Sequence, residues 1–166
     1  MCGQSSGRSI FVILAVLSIV CACRCASTAC RPDITNRDVL IHITREAGGP
    51  APFSSRIVVT DLGDLQYQYG QQRCYSLSET ELSQLRDKVN SSAFRNALRA
   101  VADRHDEERY SDAEEIIIYA KGIRAVLTFD HIADNPLLPY LREIDSLART
   151  HIGGHYRFPI LPATAL

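Results

Sequence analysis

The hydrophobic patterns along the chain predict an α+β fold: a mostly antiparallel sheet of about five strands with two to three helices packed on one face. Three observations carry this. Glu114 to Phe129 reads as two apolar strands folded back on Lys121-Gly122. Ser78 and Glu81, three residues apart before an apolar stripe, form a capping box that opens a helix. No strand–helix alternation of the parallel-sheet kind appears, and the predicted order is β-β-β-α-α-β-β-α over residues 37 to 153.

In Asp38 to Arg45, Val39, Ile41 and Ile43 fall on one face by the period of two, and Leu40, His42 and Thr44 on the other. Gly48, Gly49, Pro50 and Pro52 make the next stretch a loop. Arg56 to Asp61 and Leu65 to Gly70 are predicted strands joined by the turn Leu62-Gly63-Asp64, hence a hairpin. Leu82, Leu85 and Val89 form the buried stripe of a helix ending near Asn90, with Leu77 and Leu82 placed as a hydrophobic staple. A second helix covers Ala93 to Ala102, with Phe94, Ala97, Leu98 and Val101 on one face. Asp103 to Glu115 is acidic and reads as a solvated connection. After the second hairpin, Asn135 can cap and Pro136 can open a helix whose stripe is Leu137, Leu141, Ile144 and Ala148, stopping at Gly153-Gly154. Residues 154 to 166, with Pro159 and Pro162, are expected to be an extended or disordered tail.

The 166 residues suffice for one domain, and 46% apolar with 22% charged residues permits a packed core. A net charge of −1 without clustered Lys and Arg argues against nucleic acid as a partner. Ile10 to Cys23 is an uncharged apolar run flanked by Arg8 and Arg24. It is short for a membrane span and has the form of a secretory or lipoprotein signal over residues 1 to 29. Two processing points fit. Ser27-Thr28-Ala29 puts small residues before Cys30, and Val20-Cys21-Ala22-Cys23 is a loose lipobox in which Cys23 carries the lipid. Residues 30 to 36 then form a tether, and the expected location is exported, at a membrane surface through signal or lipid, or free.

Five of the six cysteines (Cys2, Cys21, Cys23, Cys25, Cys30) lie at or before residue 30. In an exported protein, Cys30 and Cys74 can form a disulfide; the alternative is that Cys74 is a small buried hydrophobe. The single alternation of Cys21, Cys23 and Cys25 lacks zinc-site spacing.

Catalytic patterns are missing from the sequence. There is no Gly-rich phosphate loop, no Gly-x-Ser-x-Gly elbow and no His-Glu-x-x-His. Asp130, His131 and Asp134 have the composition of a loop metal site, but Asp residues where a strand passes into a helix equally make turn hydrogen bonds. The carboxylates of 106 to 108 and 114 to 115 sit in exposed runs rather than in two distinct environments. The expectation is a non-enzymatic domain without cofactor, catalytic or metal residues, which binds a protein partner. A small-ligand carrier and an enzyme assembled from Asp130, His131 and Tyr119 are the alternatives.

The outline from Ile43-Thr44-Arg45-Glu46-Ala47-Gly48-Gly49, through Leu77-Ser78-x-x-Glu81-Leu82-x-x-Leu85 and Phe94, to Phe129-Asp130 and Pro136-Leu137-Leu138-Pro139-Tyr140-Leu141 resembles the emfourin-like domains. These small exported bacterial domains include the inhibitor of protealysin-like metallopeptidases and uncharacterised lipoproteins. The likeness spans residues 39 to 150 and rests on core and capping positions. The second strand carries no matching signature and 103 to 115 reads as an insertion, so no inhibitory residue is carried over. The resemblance implies a compact α+β binding module of the peptidase-inhibitor kind. The loop of Gly48, Gly49, Pro50 and Pro52, stiffened by its prolines, is the candidate binding loop.

Overall fold

A computed structural model describes residues 39–47, 52–102, 114–128, 132 and 134–161. Six strands form one sheet: β1 (Val39–Ala47), β2 (Phe53–Thr60), β3 (Asp64–Tyr69), β4 (Gln71–Ser76), β5 (Glu115–Ala120) and β6 (Ile123–Thr128). The helices are α1 (Glu79–Asn90), α2 (Ser92–Ala102) and α3 (Leu138–Ile152), the last running into a 3-10 turn at Gly153–His155. The fold is α+β, with strand order β4-β3-β2-β1-β5-β6 and every pairing antiparallel.

The strand not foreseen is β4, Gln-Gln-Arg-Cys-Tyr-Ser. Its polar sequence lacks apolar alternation because it is an edge strand, which needs only one paired side and is protected from further pairing by polar side chains. Gly70, at φ +70°, turns the chain so that Tyr69 and Gln71 face each other, and the run expected to end at Gly70 continues as a second arm.

The hairpin of β5 and β6 closes on Lys121 and Gly122 at φ +52° and +75°, the left-handed pair of a type I′ turn. This hairpin is not at the sheet's centre. β5 pairs with β1, so the first strand becomes the inner one, joined on its other side to β2. A bulge between Val39 and Ile41 lets Leu40 and Ile41 both enter the core.

The capping box forms as expected. Ser78 Oγ accepts from Glu81 N–H at 3.3 Å, and Glu81 Oε2 accepts from Ser78 N–H at 2.8 Å. Asn135 Oδ1 accepts from Leu137 N–H at 3.0 Å, so it turns the chain ahead of α3, whose first regular residue is Leu138. One core unites Leu85, Val89, Phe94, Leu98, Leu141, Ile144 and Ala148 with alternate strand residues, among them Ile43, Ile57, Tyr67, Ile116 and Leu127. The helices therefore share one face of the sheet.

The expected domain end at residue 153 lies inside this core rather than at its edge. Tyr156, Ile160 and Leu161 are buried in it. They are held by Asp145, which is completely buried on α3. Its Oδ1 accepts from Tyr156 Oη at 2.6 Å and Ile160 N–H at 2.9 Å, and its Oδ2 from Arg149 Nε at 2.7 Å. Phe158 packs on Tyr69 and Phe53, on the helix side of the sheet. The two prolines made this tail read as unstructured; a side-chain acceptor substitutes for the ladder partners that an extended segment otherwise lacks.

Candidate functional site

The helices and the tail occupy one face of the sheet and leave the other free of helices among the described residues. Its residues line up across all six strands. Cys74 on β4 opposes Gln66, Gln66 opposes Val58, Val58 opposes His42, His42 opposes Tyr119, and Tyr119 opposes Arg124 on β6. Side chains directly opposite in antiparallel strands touch, so this row is a continuous strip.

The strip has two characters. At its β6 end, Tyr119 is 40% exposed, one of two large apolar side chains so exposed among the described residues, with Leu62. Its ring stacks on His42 with centroids 5.4 Å apart at 27°. Arg124 donates from Nε to Tyr119 Oη at 3.0 Å, with its guanidinium 5.9 Å from the ring centroid. His42 Nε2 lies 3.1 Å from Thr44 Oγ1. Burial, and secondarily the positive charge of Arg56, holds the His42 imidazole below its ordinary value, so the ring is neutral at pH 7. A neutral stacked ring fixes Tyr119 without adding charge, leaving Arg124 as the cation of the patch.

At the β4 end, Val58 and Gln66 are only 6% and 5% exposed. Gln66 Oε1 accepts from Gln72 Nε2 at 3.0 Å, whereas Gln66 Nε2 is buried without a partner. Cys74 is disulfide-bonded, so its reading as a free buried hydrophobe does not hold.

A concavity of about 180 Å³ lies between α1 and α3, lined by Glu81, Gln84, Glu143, Leu147 and Thr150 among others. It is smaller than the 300–1,000 Å³ usual for ligand pockets. Its Glu81 is engaged in the capping box and lies 3.0 Å from His151 Nε2. The Ser78 side chain, then its backbone N–H, holds the Glu81 carboxyl at about 2. That arrangement stabilises a helix start rather than poising an acid or base.

The sequence-predicted residues fall as follows. Cys23, Cys30, Gly48, Gly49, Pro50, Asp130 and His131 lie outside the described residues. Pro52 is exposed immediately before β2, and Asp134 is exposed ahead of α3. Tyr119 meets His42 and Arg124. His42 sits half-buried on the inner strand β1. Among the described residues no three His, Cys, Asp or Glu side chains group closely enough to hold a metal ion, and no helix is long and apolar enough to cross a membrane.

Asp145 was missed, although it left a signal. It falls at the spacing of Leu141, Ala148 and Ile152, a carboxylate on an apolar stripe, which indicates a buried acceptor with a partner elsewhere. The chain matches no protein-family model and no curated protein sequence.

Proposed function

We propose that this chain is an exported domain, held near a membrane by its N-terminal segment, that binds another protein through the His42–Tyr119–Arg124 end of the helix-free face. The observation that carries the reading is Tyr119: a large aromatic left 40% exposed on a sheet face, pinned between a stacked imidazole and a guanidinium. Tyr and Arg are the residue types that dominate binding energy at protein interfaces, and a side chain already fixed in place loses little entropy on docking. The disulfide at Cys74 supports export, since such bonds persist in oxidising compartments. The lipoprotein reading places the anchor on Cys23. A Cys23→Ala variant that keeps metabolic palmitate label would remove it.

The partner we favour is a peptidase, on the likeness of the chain's outline to emfourin-like domains. The exported protein is titrated against thermolysin-type metallopeptidases and serine peptidases. Inhibition at micromolar concentration is expected, weakened tenfold or more by Tyr119→Ala, as for an interface hot spot of about 2 kcal/mol. No inhibition at micromolar excess removes the peptidase as partner. Inhibition untouched by Tyr119→Ala and Arg124→Ala moves the contact off this face, to the loop before Pro52.

A further inference from the structure

The segment from Tyr156 to Leu161 is held as a bound peptide is held. It lies on the helix side of the sheet, outside any helix or strand. Among the described residues, the backbone of Phe158 to Leu161 hydrogen-bonds to side chains alone. Phe158 N–H donates to Tyr67 Oη at 3.3 Å, and its C=O accepts from Ser55 Oγ at 3.4 Å. The Arg45 guanidinium donates to the Pro159 carbonyl. Asp145 Oδ1 accepts from Tyr156 Oη and from Ile160 N–H, and the Phe158 ring fills a slot between Phe53 and Tyr69. The groove is thus built from buried polar groups: Asp145 is completely buried, and Tyr67 and Ser55 almost so. An empty groove would leave the Asp145 carboxylate with Arg149 as its remaining partner, so vacating it is unfavourable.

The connection to this segment has the opposite character. Gly153, Gly154 and His155 are exposed, and a Cβ added at either glycine would meet no atom within 4 Å. These residues turn the chain back along α3, so that Tyr156 reaches Asp145, about two turns before the helix end at Ile152. The reversal uses Gly153 at φ +57° and ψ −137°, a conformation almost reserved for glycine.

We propose that the Tyr156–Leu161 segment exchanges between two copies of this chain, each groove taking the other copy's tail while Gly153–His155 opens. An exchanged pair retains every groove contact, so it differs from two closed monomers in the hinge and in the freedom lost on association. A short hinge that must reverse the chain favours the open arrangement. Against this, so short a tether gives the chain's own tail an effective concentration of about millimolar or above. The closed monomer therefore prevails at micromolar concentration, and the exchanged dimer becomes measurable at millimolar concentration. This inference is independent of the protein-binding reading, which concerns the opposite face.

The test uses the exported protein with its disulfide intact. Isotope-labelled and unlabelled protein are mixed, mild urea loosens the tails, and the mixture is returned to native conditions at millimolar concentration. Dimers are isolated by gel filtration, and those linked by disulfides are recognised by non-reducing denaturing electrophoresis and set aside. In the mixed dimer, nuclear Overhauser effects should join the Phe158 ring of one copy to the Tyr69 ring of the other. Gly153→Ala should raise the dimerisation constant by about tenfold or more, because two strained hinges are relieved in each dimer. Three glycines inserted after Gly154 should lower it by making the closed turn easy. A parent that stays wholly monomeric at millimolar concentration overturns the exchange, as does a dimer without contacts between the copies' Phe158 and Tyr69. A dimerisation constant unchanged in Gly153→Ala overturns it too. Should Gly153→Ala fail to fold, the glycine insertion decides, and a constant that it leaves unchanged has the same force.

Discussion

The interaction most open to a quantitative check is the one that binds the tail to α3. Asp145→Ala removes the acceptor for Tyr156 Oη at 2.6 Å, Ile160 N–H at 2.9 Å and Leu161 N–H at 3.5 Å, and the partner of Arg149 Nε at 2.7 Å. Ile160 N–H retains Tyr156 Oη at 2.9 Å, so two buried donors, Tyr156 Oη–H and Leu161 N–H, are orphaned. Hydrogen bonds to a charged acceptor contribute about 1.5–3 kcal/mol each, and removing one partner of a buried pair costs about 3–5 kcal/mol. The Arg149 bond adds little, because its side chain is 42% exposed. The expected loss is therefore about 3–5 kcal/mol, read by chemical denaturation followed by circular dichroism. Asp145→Asn keeps one acceptor oxygen at the same place and should lose only about 1–2 kcal/mol. The same latch predicts a local effect: trypsin should cut after Arg157 faster in Asp145→Ala than in the parent, before it cuts within α3. A loss below about 1 kcal/mol in Asp145→Ala, with Arg157 still protected, would refute the assignment of Asp145 as the tail's anchor.

Three further outcomes follow from single residues. Glu81 is held at about 2 in the folded state against an ordinary 4.5, so the folded form binds its proton less readily than the unfolded one. That stability is present above pH 4.5 and disappears as pH falls toward 2. Ser78→Ala should flatten this acid limb and cost about 1 kcal/mol at neutral pH; an unaltered acid limb would contradict it. His42 is also held below its ordinary 6.5, which makes the unfolded chain the better proton acceptor under that pH. Stability should fall as pH drops below 6.5, His42→Gln should remove that slope, and the His42 ring protons should titrate below 6.5 by NMR. Gly122→Ala, at φ +75°, should destabilise by about 1–2 kcal/mol in thermal melts, whereas Lys121→Asn, suited to the same turn, should not. Equal melts for Gly122→Ala and the parent would sink the type I′ reading.

What was legible in the sequence was local. The capping box needs only Ser78 and Glu81, the turn needs only Lys121-Gly122, and alternation alone divides Ile116 and Ile118 from Ile117 and Tyr119. Each is decided by backbone geometry within a few residues. The edge strand β4 was invisible because an edge position asks nothing apolar of its residues. The course of the tail was invisible because its hydrogen-bond acceptor, Asp145, lies eleven residues before Tyr156 and on another element.

The helix-free strip belongs to the same class of hidden feature, and for a sharper reason. Alternation can say that His42 and Thr44 share a face, and that Ile117 and Tyr119 share a face. It cannot say that β1 pairs with β5, since His42 and Tyr119 come together only through a pairing 77 residues apart in sequence. Once that register is set, neighbours follow without further choice. Tyr119 must stack on His42 and meet Arg124, just as Cys74 must stand beside Gln66. A one-residue slip in any ladder would turn that strand's residue to the helix side and break the strip. The same five strand pairings that give the protein its core thus place an aromatic–cation patch and a disulfide at opposite ends of one row. Because roughly three strand spacings, about 14 Å, separate Cys74 from His42, opening the disulfide should leave the Tyr119 patch in place. Partner binding that survives reduction but not Tyr119→Ala is the outcome this geometry requires.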